Sequence, residues 1–217
     1  MLSGRSRFGV QKMLVQRKTE GGFTLVEILI CLLLGALLLA MIIGLYVSNV
    51  GTTNKSLVHS RLRTDLQALI GIIENDLRRA GYGGEAFMVG EISNKVFESI
   101  NTIDQQCIIY AYNFDQASTA TIDHFMGFRY SKNTQSIQFG RKVDKQVNNC
   151  FSSGYWVNLT DPNFLKITEF SLNENYAVNA EMTIRSLRIG IQAEWVKDGA
   201  YRHQASTQIQ TRSSESN

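Results

Sequence analysis

The chain has 217 residues, 44% of them hydrophobic and 19% charged, enough for one globular domain with an anchor and too short for two large domains. Such a composition excludes a disordered chain. Five of its 22 basic residues and one of its 19 acidic residues fall within residues 1–22, which leaves 17 basic against 18 acidic in the remainder; the folded part lacks the basic excess of a nucleic-acid-binding domain.

The first segment, residues 1–22, is a basic leader in which Arg5, Arg7, Lys12, Arg17 and Lys18 stand against Glu20. Met13 offers a second start that would shorten it. An apolar run from Phe23 to Val47 follows, 25 residues with the single charge of Glu27. At about 1.5 Å rise per residue, a helix of that length crosses a hydrocarbon core of about 30 Å. Basic residues cluster on its N-terminal side, so the N-terminus is expected in the cytoplasm and the remainder exported. The run is apolar all round rather than striped, unlike the core helix of a soluble protein.

In an ordinary secretion signal a small-residue cleavage site comes after the apolar stretch. Here Gly21-Gly22-Phe23-Thr24-Leu25-Val26-Glu27 comes before it, and a cut there would leave the anchor on the product. This arrangement resembles the type IV prepilin motif over residues 21 to about 47. The resemblance implies cleavage by prepilin peptidase between Gly22 and Phe23, N-methylation of Phe23, and a subunit-assembly role for Glu27 through the free amine of a neighbouring subunit. Physical chemistry supplies a reason for that last role. A carboxylate in an apolar span costs about 2.5–3.5 kcal/mol on insertion scales, so it needs a partner or a route to the interface.

Beyond Tyr46 the apolar residues become periodic. Leu62, Leu66, Leu69, Ile73, Leu77 and Ala80 fall on one helical face, with Arg61, Arg63, Asp65, Glu74, Asp76 and Arg78 largely off it. Gly81, Gly83 and Gly84 supply a stop, and Arg78 and Arg79 complement the helix dipole in the expected last turn. One helix is expected from about Phe23 to Ala80, with a bend or fraying at the polar stretch 48–56. Glu74 and Asp76 read as a solvated face rather than an acid–base pair. The ending Asp76-Leu-Arg-Arg-Ala-Gly-Tyr-Gly83 is similar to that of the PilW/PpdB-type minor pilins, prepilin peptidase-dependent proteins.

From Glu85 the pattern favours strands. Residues 107–112 form a β-rich run, and 124–130 with 134–140 read as a hairpin turning on Ser131-Lys132-Asn133. Leu187, Ile189, Ile191, Ala193 and Trp195 alternate strictly, and Lys197-Asp198-Gly199 reads as a turn into a last strand at 201–212. An α+β, pilin-like fold is expected, with the long N-terminal helix, half transmembrane and half amphipathic, packed on a C-terminal antiparallel β-sheet. Its divisions are leader (1–22), transmembrane half (23–47), amphipathic half (48–80), β-rich exported domain (81–212) and polar tail (213–217). Cys107 and Cys150 lie in the exported part, where disulfides persist, and are expected to pair; Cys31 is left in the apolar run.

No catalytic motif, cofactor fingerprint or metal-ligand spacing is present in the sequence. His59 and His203 read as surface residues and His124 as a strand opener. Tyr110, Tyr112, Phe125, Phe128 and Tyr130 read as sheet core rather than a ligand groove, and Arg141, Lys142 and Lys145 as a solvated loop. The expected function is that of a structural subunit and not an enzyme: a minor type IV pilin that initiates or caps pilus assembly. Its expected partners are prepilin peptidase, other major and minor pilins, assembly platform proteins and the inner membrane, with nucleic acid disfavoured. As precursor it would sit in the inner membrane with its globular domain in the periplasm, and later on the surface pilus. Glycine at the position of Gly44, where a major pilin has proline, favours a minor role. A J-type pseudopilin of type II secretion, and a DNA-uptake or adhesive pilin, are the rival readings.

Overall fold

The computed structural model describes residues 21–92, 94–178 and 183–210. The leader up to residue 20, the second start at Met13 and the polar tail lie outside the described residues. The chain divides into two units, residues 1–51 and 52–217. A single helix, α1 (Leu25–Leu77), contributes to both.

In the first unit the helix is exposed on every side. Its most apolar stretch has a mean hydropathy of 3.1, and none of that stretch is buried. With no protein surface to cover these side chains, lipid is the solvent that suits them. The polar stretch 48–56 is helical, so the fraying expected there is not found. Residues 48–56 contain no proline, and one glycine costs only about 1 kcal/mol against alanine in a helix interior.

The second unit packs residues 52–77 of α1 against two antiparallel sheets. The first contains β1 (Phe97–Asn101), β2 (Gln106–Ala111), β3 (Phe125–Ser131), β4 (Ser136–Arg141) and β5 (Tyr155–Asn158), paired in that order. The second contains β6 (Leu165–Val178), β7 (Thr183–Trp195) and β8 (Asp198–Gln210), also in chain order. The predicted stripe is the buried face of the helix from Leu62 through Leu66, Leu69 and Ile73 to Leu77, joined by Ile70, and Ala80 is buried just beyond the helix end. The helix meets Phe97, Ile108, Tyr110 and Phe128 from the first sheet, and Leu172, Ile189, Ile191 and Ile209 from the second, in one continuous core. Strict alternation in β7 buries Leu187, Ile189, Ile191 and Ala193 on this side and leaves Trp195 half-buried at the strand end.

Two turns differ from expectation. The β3–β4 connection begins one residue later than Ser131, which is itself paired with Ser136. The β7–β8 turn is Val196-Lys197, with Asp198 already paired to Trp195. Asp198 Oδ1 instead accepts the Ala200 N–H at 2.9 Å inside a register irregularity at the start of β8. The Asp-Gly chemistry is therefore used to shape a bulge rather than to reverse the chain.

The opposite face of the first sheet carries a second, smaller core of Phe87, Val89, Ile109, Val143 and the disulfide Cys107–Cys150, whose Cα atoms are 6.6 Å apart. That separation lies within the usual span of a disulfide, about 4.4–6.8 Å. The bridge fastens the β4–β5 loop over the sheet. Trp156 covers the same face, and a Cβ added at Gly140 would lie 2.6 Å from its ring. The indole N–H donates to the Ser153 carbonyl at 2.7 Å, and the Arg129 guanidinium lies 4.2 Å over the ring.

Candidate functional site: the two ends of the long helix

Four described residues precede α1. Gly21 to Thr24 are non-helical and exposed, and a Cβ at Gly21 or Gly22 would touch nothing within 4 Å. Among the described residues, no neighbour demands glycine there. Thr24 is the helix cap: the Glu27 N–H donates to its hydroxyl at 3.3 Å and to its carbonyl at 3.0 Å, and the Ile28 N–H donates to the same carbonyl at 3.2 Å. Thr24-Leu-Val-Glu27 thus has the sequence of a capping box, with a hydroxyl satisfying an orphan N–H and a carboxylate in the first turn beside the positive end of the helix dipole. The signal for this cap was present in the sequence as Thr-x-x-Glu. Glu27 therefore has a local reason for its position in addition to the assembly role expected of it. Phe23 lies one residue before the cap, with its side chain in the open.

The other end of α1 is fixed by polar bonds. Tyr110, fully buried on β2, donates its hydroxyl to Asp76 Oδ2 at 2.8 Å. Burial pushes the Tyr110 phenol well above its ordinary pKa, and the neighbouring Asp76 carboxylate adds to the shift. Thr207 on β8 donates to Glu74 Oε2 at 3.0 Å, while Arg78 holds Oε1 at 2.6 Å; these bonds lower the Glu74 pKa. Glu74 and Asp76 were expected on a solvated face, and the structure corrects this. Each ties the last helical turn to a different sheet, Asp76 to the first and Glu74 to the second. The helix ends at Leu77, so Arg78 and Arg79 lie just beyond it rather than in its last turn. Arg79 reaches back to Asp76 at 3.4 Å.

After the helix the chain joins the end of β2: the Gly81 N–H donates to the Ala111 carbonyl at 2.8 Å, and the Asn113 N–H to the Tyr82 carbonyl at 2.8 Å. Gly83 has φ +113°, and a Cβ there would meet Asn113 Cβ and the Phe87 ring at 2.6 Å. Both its backbone conformation and its surroundings require glycine.

The chain matches the family described as "Prepilin peptidase-dependent protein B" over residues 55–211. It belongs to that family. The "Prokaryotic N-terminal methylation motif" matches residues 17–43 and takes in the Gly22–Phe23 bond, Thr24 and Glu27. No curated protein and no solved structure matches the chain. Membership of the prepilin peptidase-dependent protein B family, with the methylation motif, makes this a type IV pilin-type protein; the motif implies peptidase processing, pilin assembly and anchoring through the apolar helix.

The remaining candidate residues divide clearly. Tyr110 and Phe128 are stacked in the core, with ring centroids 5.6 Å apart, whereas Tyr112 lies at the rim of a cleft. Lys142 in the basic loop is paired with Asp123 at 3.0 Å. Cys31 is exposed on the apolar helix and has no disulfide partner. His59 is exposed, with the half-buried His203 ring 5.9 Å away; burial lowers the pKa of His203. His124 is buried at the end of a short 3-10 turn rather than opening a strand. No group of three or more His, Cys, Asp or Glu residues that could hold a metal occurs among the described residues.

Proposed function

We propose that this protein is a minor type IV pilin, a structural subunit that prepilin peptidase releases by cutting between Gly22 and Phe23 and that then helps to initiate or cap a pilus. The observation supporting this most directly is the join of an exposed, non-helical Gly22–Phe23 bond to a self-capped apolar helix. Gly22 stands where the methylation motif places the residue before the scissile bond, and open space around it leaves the bond accessible to the peptidase. Cleavage yields an α-amine on Phe23, the N-methylation site, close to a carboxylate that an apolar medium makes costly. Glu27 then pairs with the Phe23 amine of an adjoining subunit, so that its desolvation is offset on assembly. The precursor sits in the inner membrane with residues 1–22 cytoplasmic and its disulfide-bonded domain periplasmic, where it meets assembly platform proteins and other major and minor pilins. The fixed polar ties at Glu74 and Asp76 suit a structural role.

The test has two parts. Intact-mass analysis of the protein from cells with and without prepilin peptidase is expected to show a mature form beginning at Phe23 only when the peptidase is present. Deleting the gene is expected to remove surface pili while the major pilin remains in the membrane. A mass that retains residues before Phe23 in both strains would overturn the pilin processing. Unchanged piliation after deletion would overturn the initiating role.

A further inference from the structure

Where β2 ends and β3 begins, the first sheet opens into a cleft of about 430 Å³, at the low end of the range for small-molecule sites, about 300–1,000 Å³. Its walls combine two aromatic side chains, Tyr112 and Phe114, with Met126 and four charged groups: Asp115, Asp123, Arg141 and Lys142. The charges are not equally available. Lys142 is paired with Asp123 at 3.0 Å. Asp115 Oδ1 accepts from His124 Nε2 at 2.9 Å and from the Ala117 N–H at 3.2 Å, and the His124 bond holds the Asp115 pKa below its ordinary value. Arg141 has no carboxylate within ion-pair distance among the described residues; its guanidinium lies 5.8 Å over the Phe139 ring. The cleft therefore presents one uncommitted cation.

The wall is held in place from beneath. The buried His124 ring receives the Thr121 N–H on Nδ1 at 3.0 Å, which assigns its proton to Nε2 and directs it at Asp115. The same ring lies against Phe87 and Phe114, with centroids at 5.0 and 4.7 Å. Asn113 closes the loop by a reciprocal pair of bonds to Ala117. Two non-glycine residues with left-handed backbone, Gln116 at φ +61° and Lys142 at +55°, lie beside or within the cleft. Such conformations carry a local cost and recur where a site needs a particular shape.

We propose that this cleft binds a six-membered sugar ring carrying a carboxylate, a hexuronic acid of the kind found in acidic polysaccharides. The apolar face of the ring lies on Tyr112 and Phe114, its hydroxyls donate to Asp115 and Asp123, and its carboxylate takes the free guanidinium of Arg141. The single unpaired cation matches the single carboxylate of one uronate ring, whereas a nucleic-acid strand draws its affinity from several phosphate contacts that one free guanidinium does not supply. This site goes beyond the pilin reading and does not depend on it.

Saturation-transfer NMR on the full chain in deuterated detergent, with glucuronate and glucose as probes, tests the assignment. Glucuronate is expected to bind saturably at millimolar concentration, with glucose about tenfold weaker, as for loss of one charge-assisted contact. Arg141→Gln, at an exposed side chain, should remove that preference with an unchanged melting temperature, and Phe114→Ala, which also uncovers the His124 ring, should abolish transfer to ring protons while the chain still unfolds cooperatively. No transfer from the unaltered chain, equal binding of the two sugars, or full binding in both variants would overturn the proposal. So would tighter, salt-sensitive binding of an oligothymidylate lost in the same variants, which would assign the cleft to nucleic acid.

Discussion

Replacing Tyr110 by phenylalanine isolates the bond that ties the end of α1 to the first sheet. The ring lies in the core, stacked on Phe128, and the substitution leaves that packing in place. What is lost is one 2.8 Å hydrogen bond to an ionised carboxylate. Hydrogen bonds to charged groups contribute about 1.5–3 kcal/mol. The Asp76 side chain is 17% exposed and keeps Arg79 at 3.4 Å, which provides partial compensation and places the expected loss near the low end, about 1.5–2 kcal/mol. At roughly 2–4 °C per kcal/mol for a domain of this size, the melting temperature should fall by about 3–8 °C. The assay is urea and thermal unfolding of the full chain in detergent, followed by tryptophan fluorescence from Trp156 and Trp195. Asp76→Ala should cost a similar amount, because it leaves a buried phenol without an acceptor, and the double variant should lose little more than either single one. Tyr110→Phe within about 0.5 kcal/mol of the unaltered chain, or strictly additive losses, would refute the view that this bond fastens the helix.

Further measurements address other parts of the fold. Tyr110 stays neutral in the folded state above its ordinary pKa while the unfolded chain ionises near 10, so stability should fall as pH rises past about 10, by up to about 1.4 kcal/mol per unit, with a flatter profile in Tyr110→Phe. Glu74, whose pKa is lowered, stabilises the fold above about pH 4.5 and loses that contribution as pH falls through its folded value; acid unfolding of Glu74→Gln should begin from a lower baseline and show a smaller decline in this window. Gly83→Ala forces a Cβ into Phe87 and Asn113 at a left-handed φ and should cost about 2–4 kcal/mol in urea unfolding. Replacing Cys107 and Cys150 by serine should cost about 2–5 kcal/mol, and dithiothreitol should reproduce that shift in the unaltered chain alone.

Much of this architecture was legible because it rests on short-range periodicity. The stripe from Leu62 to Ala80 repeats every three or four residues, and alternation along β7 marks its buried side, so neither depends on distant partners. The arrangement of strands into two sheets was not legible, since pairing is decided by which apolar faces the helix can cover together. Glu74 and Asp76 show the same limit. A helical wheel places them away from the apolar stripe, but their partners Thr207 and Tyr110 are 133 and 34 residues away in sequence. The Val196-Lys197 turn was obscured by a neighbouring Asp-Gly, whose turn chemistry serves a bulge here. The cleft was not legible because Phe114 and Asp115 lie in a loop without periodicity, and His124, which positions them, reads from the sequence as a strand opener.

The cap at Thr24 has a consequence for what a cut before Phe23 would mean physically. Among the described residues, the first hydrogen bonds of α1 close on Thr24, downstream of the Gly22–Phe23 bond. Thr24 lies on the product side of that bond, so the cap would stay with the helix after a cut there. The electrostatics would change: five cationic side chains and one anionic one would leave with residues 1–22, and an amine would appear on Phe23 at the mouth of the helix. Maturation would thus be above all a change of charge: a basic leader suited to an anionic leaflet would give way to one amine, the match of a single carboxylate, at the mouth of a helix that keeps its own cap.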